Sequence, residues 1–395
     1  MPRVNFVGNS ALFAAVQANS TVYDSVLVGN LLYTCGDFTT VADRSGTYAR
    51  AGGACLNLST GLWSSFNAGV SGGSAFCIES DGTYLYIGGS FSAVVGAANR
   101  YLVRYALATG AVDAGWDLTP SDSSPFLCMK FMNGKLYIGG NLGGATFNSG
   151  SVTRAGVMRL TSGSIDSWQP NLAPIFFYGG NIYGFVDLGS GNVGLSGGFH
   201  YINNAPGTHY QARDFAVVAS DGTIQQTPQG YYSEDTFSSG QDHYNAVVIG
   251  SLVYLAGYHG VTVFDEPLNT TNPSSRGGYY ACSFTGVWSS TWNPAINNAD
   301  SKCRYILNTS DNALIMAGRF LGTDLLACAL RFDSTTGARD SGFSLQYASY
   351  VGDNVMNTKQ YGSMLIVMGN INNTIQGRAC AGFVFANANT GNLVP

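Results

Sequence analysis

Charge is scarce in this chain. Of its 395 residues 10% are charged, against roughly 25% in an average soluble protein. Lysine occurs only at Lys130, Lys135, Lys302 and Lys359. Net charge is −5 and the isoelectric point about 5.2. A surface that tracks phosphates needs clustered Lys and Arg, and no basic run exists, so the composition argues against nucleic-acid binding. No apolar run reaches the ~18 residues of a membrane-spanning helix. The opening "MPRVNFVGNSALFAAVQANS" is broken by Asn and Ser and lacks the pattern of a secretory signal. Work outside a cell would then require release by lysis or incorporation in a particle. Metal-finger spacing is also missing. The eight cysteines, Cys35, Cys55, Cys77, Cys128, Cys282, Cys303, Cys328 and Cys380, form no C-x-x-C pair. They sit in apolar strand patterns and read as small core residues, which fits folding in a reducing cytoplasm.

What is abundant points to strands and turns. The chain holds 52 Gly, 23 Tyr and 22 Phe, and 45% of it is hydrophobic. A low charge count leaves solubility to Ser, Thr, Asn, Gly and Tyr. Such a surface suits a protein embedded in an assembly or standing outside a cell, and equally a neutral soluble β protein.

One pattern recurs along the whole length. The segments "LLYTCGDF", "YLYIGGSF", "KLYIGGNL", "NVGLSGGF", "LVYLAGYH", "LIMAGRF" and "MLIVMGNI" read as apolar alternating strands that end at Gly. Those glycines are Gly36, Gly89, Gly140, Gly197, Gly257, Gly318 and Gly369, spaced by 53, 51, 57, 60, 61 and 51 residues. Around each lies the same unit: a strand, a turn, the Gly-ended strand, a variable loop, a third strand, a Thr-Gly or Ser-Gly turn, and a short fourth segment. That last segment ends in an aromatic, as at Trp116, Trp168 and Trp292. Four strands per unit, repeated seven times, predict an all-β fold: a single seven-bladed β-propeller with four-stranded blades. Residues 21–395 form the propeller and residues 1–20 an N-terminal arm. The seventh unit stops at "TGNLVP", so the segment from Arg3 to Gly8 is expected to supply its missing strand and close the ring; the alternative is an arm that docks on a partner.

These units resemble the delta-60 repeat (DUF5122-like) β-propellers. The match is carried by "LYIGGSFSAVVGAANRYLVRYALATGAVDAGWDLTP" (Leu85 to Pro120), with its Gly-Gly strand, Arg-bearing loop, "R-Y" strand and Thr-Gly tail. The fourth and fifth units keep the Gly but depart elsewhere, as in "LSGGFHYI" and "LAGYHGVTVF". The resemblance covers almost the whole chain. It implies a propeller of the kind found in bacteriophage virions and bacterial surface proteins, and it specifies fold far more closely than function.

Chemistry of a catalytic kind does not stand out. His200, His209, His243 and His259 all fall in the divergent units and show no helical ligand spacing. The "SDGT" segments at Ser80 and Ser220 read as Asp-Gly turns. There is no G-x-S-x-G elbow and no phosphate loop, and no carboxylate pair suggests a glycosidase. The expectation is a protein with no catalytic residues, metal or cofactor. Arg50, Arg100, Arg154, Arg213, Arg276 and Arg378 each precede a third strand. They read either as a cationic cluster on one face or, as is usual for a residue that recurs with the repeat, as structural ties to loop carbonyls, with Asp113, Asp166 and Asp340 as candidate partners.

Insertions mark the side where a partner is expected. They run from His200 to Asp214, Gln225 to Asn245 and Tyr258 to Tyr280, all in units four and five. His209, Tyr210, Tyr231, Tyr232, Tyr244, Tyr279 and Tyr280 are the candidate contact residues, since Tyr joins apolar area to a hydrogen-bonding tip. The leading expectation is a non-enzymatic virion structural protein of a bacteriophage, in the tail or a fibre, folded in the host cytoplasm. It would be present in multiple copies, contact other virion proteins, and meet a host surface glycan or protein. The alternative is a bacterial surface or secreted module that binds carbohydrate or protein at the cell surface.

Overall fold

The computed structural model describes residues 12–121, 123–147, 152–168, 170, 181–198, 201–205, 208–211, 215–226, 242–258, 263–264, 273–274, 279–284, 289, 291–292, 294, 296, 302–322, 325–343, 345–347 and 354–394. Among these there is no α-helix. The larger sheets are antiparallel meanders whose strands pair in chain order. Sheet 1 comprises Val22–Val28, Leu31–Gly36, Gly53–Asn57 and Leu62–Asn67, and sheet 2 comprises Ala75–Ser80, Tyr84–Gly89 and Leu102–Ala106. Sheet 3 follows with Phe126–Met132, Lys135–Phe147, Val152–Thr161 and Ser164–Ile165, and sheet 4 with Asn181–Gly189, Asn192–Gly198, Phe215–Val218 and Ile224–Gln226. Sheet 5 has Asp242–Ile249, Leu252–Tyr258 and Tyr279–Ser283. Sheet 6 has Lys302–Asn308, Ala313–Gly322, Leu325–Asp333 and Leu345–Gln346, and sheet 7 has Asn354–Tyr361, Met364–Ile375 and Arg378–Asn387.

The core lies between sheets. Cys35, Leu85, Ile87 and Val103 fill the space between sheets 1 and 2, and Leu188, Phe215, Val253 and Leu255 that between sheets 4 and 5. Val22, Leu32 and Leu56 of sheet 1 share a cluster with Met364, Ile366 and Phe383 of sheet 7. Each such side chain, fully buried, stabilises the fold by about 1.5–3 kcal/mol. The first strand of every sheet touches the first strand of the next, and Asn354–Tyr361 returns to Val22–Val28. The sheets therefore follow one another around a circuit with those first strands innermost.

This packing corrects one sequence expectation. The Gly-ended second strands do not alternate between buried and exposed. In Leu31–Gly36 and Tyr84–Gly89 every residue after the first is buried. Both faces are covered by neighbouring sheets, so these strands are continuous apolar runs. Nor do all of them stop at the Gly. In sheets 3, 6 and 7 the second strand runs on to Phe147, Gly322 and Ile375 and makes a long hairpin with the third.

The recurring Gly has a steric cause. A Cβ on Gly36 would lie 2.1 Å from the carbonyl oxygen of Thr21. At Gly89, Gly140, Gly318 and Gly369 the same contact would be made at 2.0–2.2 Å with Ser74, Pro125, Lys302 and Asn354. Each carbonyl lies at the entry to the inner strand. Opposite these glycines every inner strand carries a β-bulge, with an extra residue between Val22 and Asp24, Phe126 and Cys128, Ile182 and Gly184, His243 and Asn245, Cys303 and Tyr305, Val355 and Asn357, and between Ala75 and Cys77.

The fourth-segment aromatics tie sheet to sheet. Trp116 Nε1 donates to Gly163 O of sheet 3 (2.8 Å), Trp168 Nε1 to Ala219 O in the last turn of sheet 4 (3.0 Å), and Trp292 Nε1 to Asp333 O of sheet 6 (3.3 Å). Arg104 and Arg159 lie over Trp116 and Trp168 at 4.9 and 5.3 Å. In sheet 7 the residue in register with Arg104 is Phe385, and the ring stacked on it at 4.6 Å is Phe13. A Cβ on Gly61, in the last turn of sheet 1, would be 2.4 Å from Leu12 O. The arm thus places Phe13 against the last sheet and Leu12 against the first, where three other units use their own Trp. The Arg3–Gly8 segment lies outside the described residues. Gln17–Ala18 of the arm pairs with Thr40–Asp43, beside sheet 1.

Candidate functional site

A cavity of about 640 Å³ runs along the axis of the circuit and is lined by the first strands of all the larger sheets. Its mouth is formed by the extra residues of the β-bulges: Tyr23, Phe76, Leu127, Tyr183, Tyr244, Arg304 and Met356. A bulge re-aims one side chain out of the ladder, and here it does so once per sheet. All of these residues are half-buried. Tyr23 and Phe76 meet edge to face at 5.2 Å, Tyr183 and Tyr244 lie 5.3 Å apart, and the Arg304 guanidinium stands 4.6 Å from the centre of the Tyr244 ring. The result is an aromatic collar with one cation. Burial, helped by the hydrogen bond to Asp37, pushes the Tyr23 hydroxyl far above the usual tyrosine range.

The collar and the loops share one face. The bulges lie at the start of the inner strands, opposite the Gly near which the second strand leaves the sheet. The hairpins Tyr201–Ala205/Thr208–Gln211 and Val263–Phe264/Pro273–Ser274 leave from that same end in units four and five.

One residue beyond the collar, a belt of side chains joins each inner strand to the next. Asp24 Oδ2 accepts from Ile78 N (3.0 Å), Cys77 Sγ donates to Phe126 O (3.7 Å), and Cys128 Sγ donates to Ile182 O (3.3 Å). Farther round, Asn245 Oδ1 accepts from Ile306 N (3.2 Å), Tyr305 OH accepts from Lys359 Nζ (2.9 Å), and Asn357 Nδ2 donates to Asp24 Oδ1. All six occupy the same register position after the bulge. In sheet 4 that position is Gly184, which has no side chain to give. Burial pushes Asp24 up to about 6, against the pull of Lys359 and the amides of Ile78 and Ser25. Burial would lower the Lys359 ammonium, but Tyr305, Asp24 and Glu79 outweigh it and hold it above the usual lysine range.

Of the candidate contact residues, Tyr244 stands in the collar. His209 and Tyr210 lie on the Thr208–Gln211 strand opposite Asn203 and Ile202. Tyr279 and Tyr280 begin the third strand of sheet 5, opposite Ala256 and Leu255. Tyr231 and Tyr232 lie outside the described residues, as do His200 and His259. The other collar residues were not singled out from sequence. Each precedes its repeat Gly by thirteen or fourteen residues, a spacing that identifies them once the bulge is known.

The repeat arginines have several surroundings. Arg50 Nε and Nη2 donate to Ser64 O (3.3 and 2.7 Å) and Nη1 to Ala49 O (2.7 Å). Arg378 Nη1 donates to Val394 O (2.6 Å). Arg100 is exposed, and its amide donates to Thr119 Oγ1. Arg154 lies on the long hairpin of sheet 3, opposite Ala145; Arg213 and Arg276 lie outside the described residues. Asp113, Asp166 and Asp340 hold a different set, the third-strand arginines Arg104, Arg159 and Arg331, each at 2.7 Å. The acid follows the Thr-Gly or Ser-Gly turn that folds it back beside the third strand, out of the loop where the repeat arginines sit. All eight cysteines are buried and in no disulfide, and burial pushes the Cys35, Cys77 and Cys128 thiols well up. The "SDGT" segments are turns: Asp81 Oδ1 accepts from Thr83 N and Asp221 Oδ1 from Thr223 N, both at 2.8 Å.

No family model matches the chain, and no curated protein does. Solved structures do. The WD40 β-propeller domain of Doa1 matches with a TM-score of 0.50 and 10% identity, over 90% of this chain and 93% of that one. A chain of the mitotic checkpoint complex matches with a TM-score of 0.51 and 9% identity, over 93% and 91%. At such identities the likeness is one of architecture, and the fold of this chain is that of a β-propeller.

Proposed function

We propose that this chain is a seven-bladed β-propeller of the delta-60 type that acts without catalysis, as a rigid interaction disc. The observation that carries this reading is the collar. One half-buried side chain from every inner strand, four of them aromatic, opens at one mouth of the channel, on the face that also bears the insertion hairpins of units four and five. Rigid scaffolds with variable loops on one face are built to bind, and Tyr-rich surfaces give contact area at low entropic cost. The solved structures of this fold include a chain of a checkpoint complex, which supports a protein partner.

The assembly we propose is a bacteriophage virion, with the disc in the tail or a fibre, contacting other virion proteins or a host surface. Support comes from the resemblance to virion propellers and from the charge-poor surface. The collar tyrosines would also stack on sugar rings, which suits the second reading, a bacterial surface or secreted binding module. Peptide mass spectrometry of gradient-purified particles, with particle-free supernatant as control, separates the two. A fixed ratio to the capsid protein is the expected result. Recovery only from supernatant or cells overturns the virion role in favour of the surface module.

A further inference from the structure

We propose that the collar docks a carboxylate-bearing side chain of a protein partner, and that Arg304 is the residue that pairs with it. This deepens, and rests on, the reading of this face as the interaction face. The cavity wall carries Asp24, Glu79 and Asp187, and Lys130, Arg304 and Lys359. Five of these six have partners. Lys130 pairs with Glu79 at 3.4 Å, Lys359 donates to Tyr305 OH, Asp24 is held by Asn357 and Ile78, and Asp187 Oδ2 accepts from Asn133 Nδ2 at 3.2 Å. Arg304 is the exception. Among the described residues its guanidinium makes no hydrogen bond or ion pair, and its Nε is buried without a partner. The third-strand arginines Arg104, Arg159 and Arg331 all hold a carboxylate.

Geometry then selects the ligand. The Arg304 guanidinium carbon stands over the Tyr244 ring, 4.6 Å from its centre. A cation held by a ring in this way keeps its N–H donors for hydrogen bonding. A carboxylate is the group that matches these donors with two parallel hydrogen bonds. Arg304 as a residue is half-buried, and a charged donor group left without an acceptor is costly, so the site gains when an anion completes it. The rest of the mouth is apolar or aromatic, with Tyr23, Phe76, Leu127 and Met356 around a single cation. A nucleic-acid backbone needs several cations, and the chain carries a net −5. One acidic side chain flanked by aromatic or aliphatic neighbours, on a partner loop, fits both the charge and the wall.

The test uses the full chain labelled with 15N-arginine, and reads the Arg304 Nε–H resonance, assigned by its loss in R304K. The probe is the blocked peptide acetyl-Gly-Phe-Asp-Phe-Gly-amide; the control replaces its Asp with Asn, and a third titration uses sodium acetate. The Asp peptide is expected to move the Arg304 signal saturably. The Asn peptide should bind about tenfold or more weakly, as expected for loss of one charge-assisted pair. Arg304→Gln should abolish the Asp preference, with an unchanged thermal midpoint showing that the disc is intact. Tyr244→Leu keeps the arginine but removes its platform, and should weaken the Asp peptide while leaving Arg304 in place. Equal binding of the Asp and Asn peptides, or no movement at millimolar peptide, overturns the proposal. So does acetate saturating as tightly as the peptide, which would make this a small-anion site. None of these results bears on the disc as an assembly part, which the particle measurement decides separately.

Discussion

At the scale of one residue, a methyl group separates a closed unit from an open one. Gly36, Gly89, Gly140, Gly318 and Gly369 face a carbonyl oxygen at 2.0–2.2 Å from where a Cβ would stand. None of them has a positive φ, so the constraint is space, not backbone strain. Gly318→Ala is expected to cost about 1–3 kcal/mol, the usual range for overpacking, in denaturant unfolding. Gly115→Ala is the control, since its nearest atom would be Asp113 Oδ1 at 3.7 Å, and its effect should stay within about 0.5 kcal/mol. Asp24 offers a second residue-scale test. Its carboxyl is raised to about 6 in the folded chain from a reference of 3.8. The folded state then holds the proton more tightly than the unfolded one. The stabilisation is complete below about pH 4 and is lost as pH rises through about 6. Asp24→Asn, which keeps an acceptor for Ile78 N, should flatten the pH dependence of the thermal midpoint across that window. A midpoint that falls equally between pH 4 and 7 in variant and parent would show that another group is responsible.

At the scale of the element, the question is how a ring of sheets is held at its join. Trp116 and Trp168 show what an ordinary junction uses: an indole stacked on an arginine and hydrogen bonded to the next unit. At the join between sheets 7 and 1, Phe13 on Phe385 takes that place. The exchange is consistent across positions, since Val394 follows the Ala386–Leu393 bridge where Asp113 follows Tyr105–Val112. With no arginine and no acid, an apolar stack suffices. Phe13→Ala is expected to destabilise the chain by about 3–5 kcal/mol. A double-mutant cycle with Phe385→Ala should return a coupling of about 0.5–1.5 kcal/mol; additive losses would mean that the two rings act independently. The tail aromatics and the repeat were legible from sequence because each unit writes them in consecutive residues. Phe13 was not. Its partner is more than 370 residues away, and a single Phe in an apolar stretch carries no periodicity. The collar escaped for a related reason: its members are Tyr, Phe, Leu, Arg and Met. They share a backbone position, created by the bulge, and not a residue type.

At the scale of the whole molecule, a closed circuit is as stable as its weakest seam. At the register position after the bulge six side chains bridge neighbouring inner strands, and the seventh such position belongs to Gly184, between sheets 4 and 5. Nothing fills it cheaply, because a Cβ there would come within 2.6 Å of Ser196 Oγ and 3.1 Å of Tyr244 O. Among the described residues the buried cluster across this seam is also made largely of small or medium side chains, Val217, Ala246, Val253 and Leu255 among them, with Phe215 as its one fully buried ring. The join between sheets 7 and 1, by contrast, buries Phe13, Phe38, Trp63, Phe383 and Phe385. Local opening follows burial and bonding, so the circuit should part first between sheets 4 and 5. Hydrogen exchange under native conditions is the measurement. Amides of Asn181–Gly189 and Asp242–Ile249 should exchange faster than those of Val22–Val28 and Asn354–Tyr361. Asn245→Ala, which cuts the bridge from sheet 5 to Ile306, should speed exchange in Lys302–Asn308 and leave Ala75–Ser80 unchanged. Uniform exchange along all inner strands would mean that the ring opens as one unit and that the missing bridge at Gly184 has no consequence. The insertion hairpins flank this same seam. A partner seated across them would brace the one junction of inner strands that has no side-chain bridge at this register position, and would slow exchange there.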